Sequence, residues 1–169
     1  MLRSPTPRSP ERAARPDRES AVRADDHRAL RLWLRLLTCT YLIERHVRGR
    51  LRERFRTTLP RFDLMSQLER NPEGLKMNEL SRRMMVTGGN VTGIVDQLVR
   101  EELVERTPDS DRRAFRVRLT RTGERAFADM ARAHEEWVVA LLSGLSRREH
   151  AELFQLLAKL KQHTLEVTR

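Results

Sequence analysis

From Asp25 onward, apolar residues return at intervals of three and four. Leu30, Trp33, Leu34, Leu37, Tyr41, Val47 and Leu51 share one side of a helix. The spacing predicts one long helix over about 26–56, opened by the acids Asp25 and Asp26, which suit a helix start. Pro60 occupies a favoured first-turn position of the next helix, and Phe62, Leu64, Met65 and Leu68 give that helix a buried side. Asn71-Pro72-Glu73-Gly74 is a turn that stops it. A short helix follows at about 77–84, with Leu80 and Met84 inward. Thr87 then caps a helix to Arg100 whose apolar stripe is Val91, Ile94, Val95 and Leu98.

The period then changes. Leu103 to Arg106 reads as a strand, Thr107 to Arg113 as a polar turn, and Ala114 to Leu119, alternating with period two, as the returning strand. Thr120 or Thr122 starts a long helix to about 143, with Phe127, Met130, Trp137, Val138, Leu141 and Leu142 inward. Ser146 and Glu149 form a capping box for the last helix, lined by Leu153, Leu156, Leu157 and Leu160. Three short helices followed by a hairpin are the parts of a winged helix-turn-helix. The fold class expected is therefore mainly α with a small β-hairpin wing, flanked by N- and C-terminal dimerisation helices. These flanking helices carry more apolar surface than so small a core can cover, and a partner subunit is the simplest outlet. The expected organisation is a disordered basic arm over 1–24, helical dimerisation regions over 25–58 and 124–169, and a winged helix-turn-helix over 59–123. The arm has four prolines, many arginines and almost no large apolar side chain, so burial cannot offset its ordering entropy.

Charge narrows the partners. The 169 residues carry 34 Lys+Arg against 24 Asp+Glu, a formal net charge of +10. Such an excess favours a polyanion, with nucleic acid first and an anionic membrane second. No stretch approaches the roughly 18 apolar residues that a membrane span needs, and no apolar run follows the N-terminal arginines as a secretory signal would require. Cys39 is the single cysteine, so no internal disulfide can form, which fits a reducing cytoplasm. His27, His46, His134, His150 and His163 are scattered without a cysteine pair, so neither metal nor cofactor is expected. No nucleophile, base and orienter assemble into a catalytic set, and an enzyme is not expected.

The chemistry concentrates in two places. With its apolar stripe turned inward, the helix Thr87–Arg100 presents Asn90, Gly93 and Gln97 outward, flanked by Thr92 and Asp96. Short hydrogen-bonding side chains and a glycine let such a face lie deep in a major groove and reach base edges. Gly88 and Gly89 let backbone approach phosphate at the helix start. The turn Asp109-Ser110-Asp111-Arg112-Arg113 sets acids beside two arginines, so one arginine is held while the other is free for a minor groove or a phosphate.

The run from Met77 to Glu124 resembles the MarR family of bacterial regulators. The resemblance rests on the recognition helix, on a D-R-R wing at Asp111-Arg112-Arg113, and on an L-T-x-x-G exit at Leu119-Thr120-Arg121-Thr122-Gly123. It is specific over about residues 60–125 and looser over the flanking helices. It implies a homodimer built from the first and last helices, binding double-stranded DNA at a pseudo-palindromic operator, most commonly as a repressor. Arg113 is then the wing arginine and Asp111 the acid that positions it, while Thr87, Asn90 and Thr92 read DNA. The resemblance also implies release by a small aromatic carboxylate or aromatic acyl-CoA, bound between the first helix and the DNA-binding lobe. There Trp33, Tyr41, Arg45, His46, Arg61 and Met65 are the candidate contacts. The competing assignment puts Trp33 and Tyr41 in a dimer core and the arginines at the surface. The competing function is a constitutive or architectural DNA-binding protein with no ligand response. Cys39 stands out of register with the first-helix cysteine of peroxide-sensing members, a position that falls near Leu34, and is expected as a small core residue.

Overall fold

The computed structural model describes residues 27–84, 91–108 and 115–168. Their order is α1 (Arg28–Phe55), α2 (Leu59–Glu69), β1 (Leu75–Lys76), α3 (Met77–Arg83), α4 (Val91–Arg100), β2 (Val104–Pro108), β3 (Phe115–Leu119), α5 (Arg121–Leu142) and α6 (Arg147–Val167). The chain divides into two compact units at Leu42/Ile43, and α1 runs through the division.

In the first unit, the Arg28–Leu42 stretch of α1 keeps Leu30, Trp33, Leu37 and Tyr41 exposed, from 40% to 61%. Cys39 is exposed as well. The expectation of a core cysteine is corrected here, because among the described residues nothing covers its side of the helix.

In the second unit, one apolar core gathers Val47 and Leu51 of α1, Leu64, Met65 and Leu68 of α2, Leu80 of α3, Val95 and Leu98 of α4, Val104 and Val117 of the sheet, and Phe127, Met130 and Trp137 of α5. Helix α2 starts where Thr58 accepts a hydrogen bond from the Arg61 N–H, at 3.4 Å, with Pro60 in the first turn. Phe62 meets Phe127 at 5.4 Å and the His134 ring at 4.9 Å between centroids. Burial disfavours the charged imidazole and lowers the His134 pKa.

The sheet is antiparallel, in the order β1-β3-β2. Strand β1 has no counterpart in the sequence reading; a two-residue strand carries no periodicity to detect. It forms because Gly74, at φ +81, closes the Asn71 turn and delivers Leu75 opposite Val117. A Cβ at Gly74 would lie 2.9 Å from the Val117 carbonyl oxygen, so both the turn and the strand contact need glycine. In β2–β3, Val104 faces Leu119, Arg106 faces Val117 and Pro108 faces Phe115, which puts these pairs on one sheet face. The first pair is buried and the last exposed.

Thr120 joins the sheet to α5. Its hydroxyl donates to the Glu102 carbonyl at 2.7 Å and accepts from the Gly123 N–H at 3.0 Å, while its backbone N–H donates to the Leu103 carbonyl. Of the α5 residues expected inward, Phe127, Met130 and Trp137 are buried and Val138 and Leu142 half-buried. Leu141 is 38% exposed, since the core ends below it. Helix α6 has the Ser146–Glu149 capping box and no buried residue at all.

Candidate functional site

Helix α4 is held by its apolar side. Val95 and Leu98 are fully buried, and Val91 and Ile94 are half-buried against the same core. The opposite side therefore faces outward, and Thr92 and Gln97 are exposed on it. Gly93 and Asp96 are half-buried. Thr87, Gly88, Gly89 and Asn90, and the wing residues Asp111, Arg112 and Arg113, lie outside the described residues.

Asp96, expected on the flank of the reading side, has its carboxylate ion-paired with Arg106 of β2. Arg106 was not singled out in the sequence; its signal is positional, since it alternates with Val104 on the sheet face turned toward α4. On the other face, the Arg118 guanidinium donates to Glu105 across the strands at 2.7 Å. Arg116 donates to the Gly74 carbonyl at 2.9 Å, tying β3 to the turn before β1. Arg83, at the end of α3, donates to Asn71 at 2.8 Å, while Arg82 beside it is exposed.

Of the residues expected around a small ligand, Trp33 and Tyr41 belong to the first unit and Arg45, His46, Arg61 and Met65 to the second. Met65 is 1% exposed, because it belongs to the apolar core that α2 shares with the other elements of the second unit, so the expectation that it lines a cleft is corrected. Arg61 is ion-paired with Glu101, and its Nε is buried without a hydrogen-bond partner. Arg45 and His46 are exposed on α1, and Trp33 and Tyr41 are exposed in the first unit. A cavity of about 320 Å³ does open in the second unit, lined by Arg48, Arg52, Thr57, Thr58, Leu59, Pro60 and Ile94. It sits where the end of α1 meets the start of α2, and Ile94 brings α4 to its wall. Thr57 is 7% exposed, and the Arg48 guanidinium is shared with Glu44 at 2.9 Å. Among the described residues no group of His, Cys, Asp and Glu could hold a metal ion, and no helix is long and apolar enough to cross a membrane.

A three-helix unit with a two-strand hairpin, packed so that one helix shows a small polar side, is a winged helix-turn-helix. The MarR family model matches residues 57–115. A MarR family transcriptional regulator from Silicibacter pomeroyi is 30% identical in sequence; its crystal structure superposes with a TM-score of 0.72, covering 83% of this chain and 99% of that one. The chain belongs to the MarR family. The apo form of wild-type MarR from E. coli, 24% identical, shares the fold with a TM-score of 0.66 over 76% of this chain and 96% of its own. An uncharacterized HTH-type transcriptional regulator of Bacillus subtilis, YsmB, is 30% identical over 93 residues, which is 54% of this chain and 63% of that protein's length.

Proposed function

We propose that this chain is a cytoplasmic DNA-binding transcriptional regulator that acts as a homodimer, without catalytic activity, and represses by occupying a pseudo-palindromic operator. The observation that carries this reading is the two-sidedness of α4. Val95 and Leu98 are wholly buried, while Thr92 and Gln97 stand exposed on the opposite side. A helix anchored by one side and bearing short polar groups on the other fits the major groove. The formal net charge of +10 supports a polyanionic partner. Thr87, Asn90 and Thr92 read DNA, Gly88, Gly89 and Gly93 permit close approach, and Arg113, positioned by Asp111, engages the minor groove or a phosphate beside Arg112. Exposed apolar side chains on the Arg28–Leu42 stretch and on α6 support a second copy as their cover. In such a dimer the two reading helices stand roughly 34 Å apart, one turn of DNA.

The effector is a small aromatic carboxylate or an aromatic acyl-CoA. The cavity beside Arg48, Arg52 and the start of α2 supports this part of the reading, in preference to the six residues first expected. Guanidinium and threonine hydroxyl groups suit a carboxylate, Leu59, Pro60 and Ile94 suit a ring, and about 320 Å³ admits a one-ring acid or the aromatic end of an acyl-CoA. Because Ile94 belongs to α4, a ligand there bears directly on the reading helix.

Arg113→Ala is expected to weaken binding to a duplex selected by the protein from a random pool, with the dimer intact by sedimentation. The affinity of the parent should fall with salt at a log–log slope near −0.9 per phosphate neutralised. Binding by the variant equal to that of the parent, or a flat salt response, would defeat the DNA reading. For the effector, a thermal-shift screen of aromatic acids should find a ligand that stabilises by about 2.7 kcal/mol at 100 times its Kd. No shift across a broad panel would favour a constitutive binder.

A further inference from the structure

Asp96 is the single acid of α4, and it stands on the flank of the side that meets DNA in the reading above. An unpaired carboxylate there would face the phosphate polyanion and repel it. Its oxygen instead accepts from the Arg106 guanidinium of β2, with the two side chains 42% and 40% exposed. Arg106 leaves the sheet on the face that carries Val104, opposite Val117. One pair further out on that face, Pro108 and Phe115 are exposed, so packing on the core has ended there. The ion pair thus stands between the buried Val104–Leu119 pair and the exposed Pro108–Phe115 pair. A guanidinium offers a rigid planar fork, which fixes direction as well as distance.

We propose that Asp96 and Arg106 form a brace that sets the hairpin against the reading helix, so that both are positioning residues and neither contacts DNA. This rests on the DNA-binding reading. The brace cancels the acid that would oppose DNA, and it keeps Arg106 from serving as a phosphate contact. It also links the helix that enters the groove to the strand that leads to Arg113, so a disturbance of either element reaches the other.

The test uses the full chain and a duplex selected from a random pool by the parent protein. Asp96→Asn removes a negative charge, which by charge alone should strengthen binding. The brace predicts the reverse, a loss of roughly two- to fivefold, in keeping with a half-exposed ion pair. Arg106→Gln should cost a similar factor and leave the salt slope unchanged. The double variant should cost no more than either single change, and the exchanged pair Asp96→Arg with Arg106→Asp should recover most of the affinity. In the protein without DNA, amide hydrogen exchange in β2 and β3 should rise in both single variants. Tighter binding by Asp96→Asn, additive single effects, or a slope reduced by about 0.9 in Arg106→Gln would each overturn the brace. A parent that selects no duplex overturns the DNA reading instead; unchanged hydrogen exchange in the variants then overturns the brace as a structural device too.

Discussion

Gly123 shows how narrow the tolerance of a single position can be. A Cβ there would come within 1.9 Å of the Leu103 carbonyl oxygen and 2.8 Å of its carbon. That carbonyl accepts the Thr120 N–H, and the Gly123 N–H donates to the Thr120 hydroxyl, so the clash falls on the joint between the sheet and α5. Backbone cannot swing aside as the end of a long side chain can. Gly123→Ala is expected to destabilise the chain by about 1–3 kcal/mol, read as a lower urea midpoint at an unchanged slope. Stability equal to the parent would mean that Leu103 and α5 separate freely. The L-T-x-x-G spelling could be read in the sequence, but the reason for its glycine is the neighbour twenty residues earlier. The partner of Asp96 and the burial of Met65 were not legible, for a related cause. The helical wheel puts Asp96 on an outward flank, and only the strand that folds back brings Arg106 to it. Met65 has the right chemistry for a ligand wall, yet the closed core around it leaves it 1% exposed.

Elements with their own punctuation were readable in advance. Helix α6 is an example, since Ser146 accepts from the Glu149 N–H while Glu149 accepts from the Ser146 N–H, at 3.3 and 2.8 Å. Ser146→Ala should cost about 1 kcal/mol of stability, measured by thermal or urea unfolding. The hydrogen bonds from the Ser146 side chain and backbone hold the Glu149 carboxyl below its ordinary pKa. A group depressed in this way contributes above its unfolded-state value, and its contribution is lost as pH falls through the folded one. Acid should therefore weaken the α6 cap in the parent, whereas Glu149→Gln should show less of this dependence; identical acid profiles would exclude the cap as its source. Strand β1 lies at the other extreme. Two residues have no period, and they become a strand only because Gly74 turns them against an edge that β3 offers.

The described residues leave apolar surface exposed. In α6, Leu153, Leu156, Leu157 and Leu160 are between 39% and 65% exposed, although their helical spacing marks them for burial. If a second copy covers them, Leu157→Glu with Leu160→Glu should turn a dimer into monomers by sedimentation equilibrium. The affinity for DNA should fall in step, because two half-sites then bind separately. A variant that remains dimeric would remove α6 from the interface.

The element types, most of their bounds, the inward stripe of α4 and the exit after the hairpin follow from local chemistry. Hydrophobic period, caps and turn residues act within a few positions of one another, and the order of letters displays them directly. The pairing of Asp96 with Arg106, the closure of Met65, the cavity at the start of α2 and the third strand belong to the folded chain alone. Each depends on groups far apart in sequence that meet only when the core has closed, and no local pattern records which of them will touch.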